Sequence, residues 1–296
     1  MDRQILLIVN PKAGKGKMQK KITAIEKDLI KTGYNVEIIY TQKKYSAKEV
    51  IKKYKKKIDI IICCGGDGTV NDMINGVMEL EDKPEISFIP LGTINDFART
   101  IGLNKLRFYL PDILKKYTKK KSDIGKFNKK YFNYVVAFGA FTPVSYVTNQ
   151  KIKKIFGKLA YFIVAIKYCF KIKTYKIKLE IDDEEIEREC IYGSVSNSKS
   201  IGGFQWFRKR DISIQDGKFE VLLINKPKYK IQYISILFDI IFKRYQSKNF
   251  FYKQGSKIEI ESNKHITWTI DGEFGGRTKE AKIINYQEAV TFVIPK

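Results

Sequence analysis

The first hundred residues repeat one pattern: an apolar run, a loop of small residues, and a segment with helical spacing. The apolar runs are Ile5–Asn10, Asn35–Tyr40, Ile58–Cys64 and Ile86–Pro90. Continuous apolar runs are typical of strands that are buried on both faces. Their alternation with helices predicts parallel βαβ units and an open α/β sheet, on which ligands bind at the carboxyl ends of the strands.

The second half of the chain has a different texture, in which short strand-like runs follow one another. These runs and the turn signals among them are Tyr131–Phe138, Tyr175–Ile181, Asp182-Asp183, Cys190–Ser196, Asp216-Gly217, Phe219–Ile224, Ile258–Glu261, His265–Ile270, Asp271-Gly272 and Val290–Ile294. Such a series predicts a mostly antiparallel β domain. We expect an α/β domain over residues 1–125 and an all-β domain, a β-sandwich, over residues 126–296.

Composition excludes several classes of site. The 296 residues contain one histidine, His265, so a Ser-His-Asp or Cys-His site would rest on it alone and a His-rich metal cluster is impossible. The four cysteines form no C-x-x-C pair, and Cys63 and Cys64 lie in an apolar run. We expect reduced core thiols and a cytoplasmic location. We also expect no signal peptide, and no apolar stretch approaches the ~20 residues that span a bilayer.

The chain is strongly basic, with a formal net charge of +24. A solvated cationic surface and attraction to an anionic membrane both account for this charge. No nucleic-acid recognition motif accompanies it, so nucleic acid is not an expected partner. The protein is therefore expected to be soluble or peripherally bound to a membrane.

A glycine-rich loop follows the third apolar run. Gly65-Gly66-Asp67-Gly68-Thr69 allows the backbone to approach a ligand closely, and the helix that follows favours an anion. A carboxylate such as Asp67 suits a phosphate site only when it binds a metal or a hydrogen-bond donor, and Mg²⁺ attached to the phosphates would supply that partner. A tight strand-to-helix turn capped by Asp67 is the structural alternative.

Three further segments carry polar groups, and each has a structural alternative. Asn10–Gly16 is a cationic loop that matches neither a Walker A nor a G-x-G-x-x-G pattern, and taken alone it is better explained as a solvated lysine loop. Leu91–Arg99 places a hydroxyl, an amide and a carboxylate together, which an N-capped helix also explains. Ile270–Glu273 holds two carboxylates, of which one is in an Asp-Gly pair common in hairpin turns.

Taken together and in this order, the segments NPKAGKGK, GGDGTVND, PLGTINDFAR and IDGEFGG resemble the bacterial diacylglycerol kinase family, lipid kinases whose catalytic domain is shared with sphingosine kinases. The resemblance extends from Gln4 to at least Glu273. GGDGT alone also admits NAD kinases and phosphofructokinases. The G-T-x-N-D-F loop and the N-P-x-x-G start separate the lipid kinases from both.

The resemblance implies the site residues one motif at a time. The residues that match the family's ATP-binding positions are Asn10, Pro11, Lys12, Ala13, Gly14, Thr41, Gly65, Gly66, Asp67, Gly68, Thr69, Val70, Asn71 and Thr93. Asp67, Asp96 and Asp123 match the acidic residues that organise a catalytic Mg²⁺, largely through water. Asp271 and Glu273 match the IDGE carboxylates, one of which would be the general base.

The family also holds a second, structural Mg²⁺ around an Asp-Gly turn. By position this implies the side chain of Asp216 and the backbone carbonyls of Ser213 and Lys218. The preceding segment, Phe207–Asp211, is more charged than the family's usual one, which leaves the local register open.

The resemblance further implies a nucleotide-binding α/β domain, a β-sandwich lipid-substrate domain, and an active site in the cleft between them. It also allows the extreme C-terminus to return to the first domain. The implied reaction is ATP- and Mg²⁺-dependent phosphorylation of diacylglycerol to phosphatidic acid at the inner face of an anionic membrane. Another lipid alcohol, such as a sphingoid base or phosphatidylglycerol, and a soluble acceptor such as NAD remain alternatives. A homodimer is consistent with the family.

Helical patterns in the β domain bear on membrane contact. Lys153–Phe170 and Lys230–Tyr245 both have helical spacing. Within the second, Tyr233, Leu237 and Phe242 belong to an apolar set close to basic residues. A basic amphipathic helix can lie in a membrane interface, but packing against the β domain explains the same spacing. The aromatic and basic segment Phe204–Arg210 is a second candidate contact.

Overall fold

The computed structural model describes residues 3–13, 18–31, 33–42, 45–92, 95–103, 116–140, 172–198, 212–242 and 244–295. The chain forms two compact units. Unit 1 comprises Met1–Tyr134, Ser213–Gly217 and Tyr286–Lys296, and unit 2 comprises Val135–Ile212 and Lys218–Asn285. The predicted domain boundaries, 1–125 and 126–296, stay predictions. So do the nucleotide-binding and lipid-substrate functions assigned to these two domains.

Unit 1 is built on a parallel sheet. Its elements are β1 (Gln4–Val9), α1 (Met18–Lys31), β2 (Asn35–Tyr40), α2 (Ala47–Lys53), β3 (Ile60–Gly65), α3 (Asp67–Val77), β4 (Glu85–Pro90), α4 (Asp96–Ile101), β5 (Tyr117–Phe127) and β6 (Lys130–Phe132). The four parallel strands lie in the order β2-β1-β3-β4. The alternating strands and helices of the sequence therefore form the predicted open α/β sheet.

The centre of this sheet is buried on both faces. Ile5 and Leu7 of β1 are fully buried on one face and Leu6 and Ile8 on the other. The first face packs on α1, whose Ile22, Ile25 and Leu29 follow the helical spacing i, i+3, i+7. Each such side chain contributes about 1.5–3 kcal/mol when it is fully removed from water.

Helix α1 ends at Lys31, two residues before Gly33. Gly33 has a φ of +82°, a left-handed conformation that glycine adopts without steric cost. Its N–H donates to the carbonyl of Ile30 at 3.0 Å, and the N–H of Tyr34 donates to that of Leu29 at 3.4 Å. These bonds satisfy carbonyls of the last turn and direct the chain into β2.

The end of the chain returns to unit 1. The last strand, β13 (Glu273–Pro295), places Phe292 beside Ile86 of β4 in parallel register. Its Val293 carbonyl accepts a hydrogen bond of 2.8 Å from the Ser87 hydroxyl. Phe292 also packs edge-to-face on Phe97 of α4, with 5.3 Å between ring centroids.

Unit 2 is antiparallel. Its further elements are β7 (Val135–Gly139), β8 (Tyr175–Ile181), β9 (Glu184–Ser196), β10 (Phe219–Asn225), α5 (Gln232–Ile241), β11 (Phe250–Gly255) and β12 (Lys257–Ile270). Strands β7 and β8 follow each other end to end, and each pairs with β9 on one side and β12 on the other. β10 and β11 extend the sheet beyond β9. The predicted helix at Lys153–Phe170 lies outside the described residues.

The core of unit 2 forms where β7, β8 and β12 meet. The rings of Phe138 and Trp268 pack with 4.8 Å between their centroids, and Tyr175 packs edge-on against Phe138 at 5.6 Å. Trp268 and Phe138 are almost completely buried. Aromatic side chains of this size dominate the apolar area that a small β unit removes from water.

Candidate active site

Three loops of unit 1 leave the sheet at the same edge, at the carboxyl ends of β1, β3 and β4. The N–H of Asn10 donates to the Cys64 carbonyl at 2.9 Å, and the N–H of Leu91 donates to the Gly65 carbonyl at 2.8 Å. These bonds continue the strand pairing one residue into each loop. The motifs NPKAG, GGDGT and LGTIND are therefore neighbours, as the parallel topology predicted.

The first two loops are also joined by side chains. The Asn10 amide donates to the Thr69 hydroxyl at 3.0 Å, and the Asn10 amide oxygen accepts the N–H of Lys12 at 3.0 Å. Asn10 thus fixes the start of its own loop and the first turn of α3 at once. Pro11 and Lys12 are exposed and Ala13 is half-buried, while Gly14 lies outside the described residues.

Two glycines face each other where the second and third loops touch. A Cβ atom on Gly66 would lie 3.3 Å from the Cα of Gly92. A Cβ atom on Gly92 would lie 3.0 Å from the Cα of Gly66 and 2.6 Å from the amide oxygen of Asn95. A side chain at Gly92 would force the Asn95 amide to shift, whereas one at Gly66 needs the neighbouring backbone to give by only a few tenths of an ångström.

Asp67 begins α3 and lies between these loops. One of its carboxylate oxygens accepts the N–H of Asn95 at 3.0 Å. Burial, and to a lesser degree the neighbouring charge of Asp96, raises the pKa of Asp67 to about 6, against the opposing effects of the Asn95 N–H and the Arg99 charge. Asp96 itself is 1% exposed in the first turn of α4. The edge therefore carries negative charge that the protein compensates only in part.

This partial compensation fits a divalent cation with bound phosphates. The carboxylates of Asp67 and Asp96 are hard oxygen ligands of the kind that Mg²⁺ accepts, directly or through water. The N-terminus of α3 and the glycine backbone suit the phosphates. Among the described residues no group of three or more His, Cys, Asp or Glu side chains is placed to hold a metal by itself.

The remaining predicted ATP positions have different surroundings. Thr41 lies at the same edge, where its N–H donates to the Val9 carbonyl at 2.8 Å. The Val70 side chain is buried in the core, so only its backbone is available to a ligand. Asn71 donates to the Tyr131 carbonyl at 3.2 Å and ties α3 to β6. Thr93 lies outside the described residues.

Asn95 is a residue of this edge that sequence reasoning left out of the predicted site. Asn95 bridges the loops through the N–H bonded to Asp67 and through its amide, which donates to the Gly92 carbonyl at 2.7 Å. Its φ of +51° is a left-handed conformation, in which asparagine is enriched among non-glycine residues. The Gly-x-x-Asn spacing in LGTIND was the available signal.

Asp123 is fully buried in β5 of unit 1. Its carboxylate is fully buried and accepts the backbone N–H of Gly217 at 2.7 Å and that of Glu288 at 2.8 Å. Its own N–H donates to the Ile214 carbonyl at 2.7 Å. Asp123 therefore fixes the turn Ser213–Gly217 to β5 and β13. In that turn Ser213 and Asp216 are exposed and Gly217 has a φ of +74°; Lys218, the next residue, is also exposed.

The IDGE carboxylates lie in unit 2, on the hairpin between β12 and β13. Asp271 and Gly272 both have positive φ, +49° and +83°, as a two-residue type I′ turn requires. Asp271 is 2% exposed, and one carboxylate oxygen accepts the N–H of Val135 at 3.0 Å. Glu273 pairs with Ile270 at the start of β13 and is exposed. The two carboxylates thus differ in accessibility.

Comparison with known proteins identifies the class. Residues 4–127 match the family model "diacylglycerol kinase catalytic domain", and residues 134–286 match "YegS C-terminal NAD kinase beta sandwich-like domain". Fold and matches together define an N-terminal α/β catalytic domain followed by a C-terminal β-sandwich-like domain. The protein is a kinase that transfers phosphate to an alcohol acceptor.

Similar proteins cover nearly the whole chain. A diacylglycerol kinase of Staphylococcus saprophyticus is 29% identical over 94% of this chain and 91% of its own length. One of Staphylococcus epidermidis is 28% identical over 100% and 93%. A crystal structure of a diacylglycerol kinase from Bacillus anthracis superposes with a TM-score of 0.79 at 27% identity, covering 99% of this chain and 97% of that one.

The chain belongs to the bacterial diacylglycerol kinase family, a group of lipid kinases. The predictions of the fold class, of the family and of a phosphotransferase are confirmed. The individual roles given to the site residues stay predictions.

Proposed function

We propose that this chain is a diacylglycerol kinase that transfers the γ-phosphate of ATP, with Mg²⁺, to the free hydroxyl of diacylglycerol and so forms phosphatidic acid. The observation that carries the proposal is the edge of unit 1, where the Gly66–Gly92 contact and the Asp67–Asn95 hydrogen bond join two loops beside the start of α3. The names of the relatives support diacylglycerol as the acceptor.

In this proposal the loops bind the phosphates of ATP through backbone groups. Asn10 holds the first loop against Thr69, and Asn95 holds the third loop against Asp67, so that both loops are positioned before ATP arrives. Positioning of this kind is most of what phosphoryl transfer requires from a protein. Asp67 and Asp96 would hold Mg²⁺, directly or through water. When bound, Mg²⁺ neutralises the phosphate oxygens.

Glu273 is the carboxylate that we assign as the general base. Asp271 is buried, and its oxygen is committed to the Val135 N–H, which fixes the turn. Glu273 is exposed and follows that fixed turn directly, so a hydroxyl on a lipid can reach it. As the acceptor oxygen bonds to the γ-phosphorus, the bond from phosphorus to the bridging oxygen breaks, ADP leaves with the electron pair, and the hydroxyl proton passes to Glu273.

A second Mg²⁺ belongs to the proposal as a structural ion at the turn Ser213–Gly217. Asp216 would supply its carboxylate, and Ser213 and Lys218 their backbone carbonyls. The exposure of Asp216 and the firm attachment of this turn by Asp123 are consistent with such a site.

A homodimer is also proposed, on the ground of the family resemblance. A cytoplasmic location is proposed because Cys63, Cys64 and Cys190 are reduced and buried.

The proposed enzyme works at the surface of a membrane. Every helix in the described part of the chain is too short or too polar to cross a bilayer. The net charge of +24 would draw the protein to an anionic membrane, where diacylglycerol lies. Binding to anionic vesicles is therefore expected to weaken as salt rises.

The test is an acceptor panel with γ-labelled ATP and Mg²⁺. Diacylglycerol, a sphingoid base and phosphatidylglycerol are presented in mixed micelles, and NAD is added in solution. The expected result is label in phosphatidic acid, with transfer to the other acceptors at least tenfold slower. Label in another lipid would replace diacylglycerol as the substrate, and label in NAD alone would overturn the lipid assignment.

Two variants test the base in the same assay. Glu273→Gln is expected to lower kcat by about a hundredfold or more, within the usual range for a general base, without changing the melting temperature. Asp271→Asn keeps the turn, because Asn-Gly also favours type I′ and the amide oxygen can still accept the Val135 N–H. Its kcat is expected to fall less than that of Glu273→Gln. The reverse order would assign the base to Asp271.

A further inference from the structure

The outer face of helix α5 in unit 2 exposes a stripe of large apolar side chains. Ile231, Ile234, Phe238 and Phe242 are 68%, 39%, 48% and 59% exposed. Their spacing of three, four and four residues places them on one side of the helix, with Ile231 just before its first residue and Phe242 just after its last. The rings of Phe238 and Phe242 stack with 6.1 Å between centroids and 2° between planes. Contiguous exposed apolar area of this kind marks an interaction surface.

The opposite side of α5 fixes the direction of the stripe. Ile236 and Leu237 are buried, and so is Asp239. The Ser247 hydroxyl and the Asn249 amide both donate to one Asp239 carboxylate oxygen, at 2.6 and 2.7 Å. Rotation of the helix to bury the phenylalanines would expose Ile236 and break these bonds. The apolar stripe is therefore held outward by the fold.

Basic residues surround the stripe. Lys228 and Lys230 precede the helix, Arg244 and Lys248 follow it, and all four are exposed. The Arg244 guanidinium lies over the Phe242 ring, 5.5 Å from its centroid. Between residues 226 and 248 the only acidic residue is Asp239, which is on the buried side. An apolar stripe with a cationic border matches an anionic bilayer, in which aromatic rings enter the interface and the cations meet the lipid phosphates.

We propose that this face, defined by Ile231, Ile234, Phe238 and Phe242 with Lys228, Lys230, Arg244 and Lys248, is the surface by which the protein docks on an anionic lipid bilayer. The proposal rests on the proposed function in one respect: it gives a lipid kinase access to an acceptor that stays in the membrane. The docking itself is independent of which lipid receives the phosphate.

The first test compares vesicle binding of the full chain by co-sedimentation. The vesicles contain either phosphatidylcholine with about 30% of the anionic lipid phosphatidylglycerol, or phosphatidylcholine alone. The double variant Phe238→Ser with Phe242→Ser is expected to bind the anionic vesicles about tenfold more weakly than wild type. The control Ile30→Ser with Tyr45→Ser removes two exposed apolar side chains from unit 1 and is expected to bind as wild type. Equal loss in both double variants would overturn the proposal.

A charge-reversal pair separates this surface from the general basicity of the chain. Lys228→Glu with Lys230→Glu, and Lys55→Glu with Lys57→Glu, reverse exposed lysines of identical spacing and lower the net charge equally. Since one cation near an anionic surface changes binding about fivefold, the α5 pair is expected to lose tenfold or more. The unit 1 pair should lose less than twofold. Equal losses would show attraction by diffuse charge and contradict a specific surface. Because the reversed lysines are exposed, the charge-reversal variants should fold normally. They therefore test the proposal even if the phenylalanine variants unfold.

Kinetics distinguish failure of the docking surface from failure of the proposed function. With a short-chain diacylglycerol dispersed in water, the α5 variants are expected to keep the wild-type rate, while with vesicle-embedded diacylglycerol their rate should fall in parallel with binding. If the wild-type protein binds vesicles through α5 but phosphorylates no diacylglycerol, the proposed function is refuted and the docking surface is retained. Variants that bind vesicles normally but change the sedimentation coefficient would instead make this face a contact between two copies and overturn lipid docking.

Discussion

The backbone N–H of Asn95 donates a hydrogen bond to the carboxylate of Asp67 at 3.0 Å, although the two residues are 28 positions apart. This bond joins the loop after β4 to the first turn of α3. The same carboxylate is partly buried and faces the charge of Asp96, and both effects raise its pKa. The site is thus built at some cost in stability, as binding sites that await a cation and phosphates commonly are.

Asp67→Asn is expected to stabilise the ligand-free protein while abolishing phosphate transfer. The folded pKa of Asp67 is raised to about 6 from 3.8, mainly by burial. The folded state therefore holds its proton longer than the unfolded state, and this site loses stability as pH rises from about 4 to about 6. The variant has no such loss. We expect it to gain about 1–2 kcal/mol above pH 6, less than the full equivalent of the shift because Asp67 is partly exposed.

Urea denaturation from pH 4 to pH 8 measures this effect. The difference between the variant and wild type should be small near pH 4, grow up to about pH 6 and then stay level. A difference that is constant over the whole range would mean that the charge of Asp67 does not limit stability.

Gly92→Ala is expected to displace the third loop. The new Cβ would lie 2.6 Å from the Asn95 amide oxygen and 3.0 Å from the Cα of Gly66, so the Asn95 side chain and the backbone must both shift. We expect a loss of about 1–3 kcal/mol in stability, the usual cost of forced overpacking, and a KM for ATP raised at least about tenfold.

Gly66→Ala serves as the milder companion of that variant. Its Cβ would meet only the Gly92 Cα at 3.3 Å, a gap that opens with a small movement. Its stability loss should be smaller than that of Gly92→Ala. If both variants bind ATP as wild type does, the contact between the loops is structural and does not shape the nucleotide site.

Asn10 and Thr69 are expected to be energetically coupled. Their 3.0 Å hydrogen bond links the first loop to α3, so Asn10→Ala and Thr69→Ala should each remove the same interaction. A double-mutant cycle should give a coupling of about 0.5–1.5 kcal/mol in stability. Thr69→Ser keeps the hydroxyl and should retain the coupling. Strict additivity of the two alanine changes would remove Asn10 as the anchor of its loop.

Asp123 and Asp216 are expected to differ in their response to Mg²⁺. Asp123→Asn leaves one of the two backbone N–H groups that bond to this buried carboxylate without its acceptor, and should cost about 1–3 kcal/mol with or without Mg²⁺. Asp216→Asn changes an exposed side chain and should remove the stabilisation that Mg²⁺ adds. Melting curves with and without Mg²⁺ measure both. A Mg²⁺ effect that survives in Asp216→Asn would place the second ion elsewhere.

The parallel strands of unit 1 were predictable because their cores are continuous apolar runs. Asn35–Tyr40 coincides with β2, and the other three runs fall within two residues of β1, β3 and β4. In unit 2, Tyr175–Ile181 coincides with β8, whose residues alternate between buried and exposed as a half-solvated strand requires.

Other strands were missed or misjudged for physical reasons. β5 begins with a lysine-rich stretch that is largely exposed, and the buried residues that follow it, Ser122 and Asp123, are polar, so no apolar signal appears before Ile124. The run Tyr131–Phe138 was predicted as one strand, but the structure breaks it at Asn133 and Tyr134, where the chain passes from unit 1 to unit 2. Local sequence carries no trace of that passage. The runs at 258–261 and 265–270 join in β12 across an irregular register.

The candidate site was predictable as loops but not as contacts. Glycines beside strand ends marked Gly66, and the resemblance marked Asp67 and Asp123. The bridging role of Asn95 and the pair of N–H groups on Asp123 depend on partners far away in sequence; one is 165 residues from Asp123. Such partners are set by topology, which single-sequence patterns do not resolve.

The central claim is that the γ-phosphate moves from ATP to a lipid hydroxyl. The most direct measurement uses ATP labelled with ¹⁸O in its γ-phosphate, diacylglycerol in mixed micelles and Mg²⁺, with mass spectrometry of every phosphate-containing product. The account predicts labelled phosphatidic acid in equal amount to ADP, and no product in the presence of a chelator. Label that accumulates only in inorganic phosphate, or phosphatidic acid without label, would contradict it.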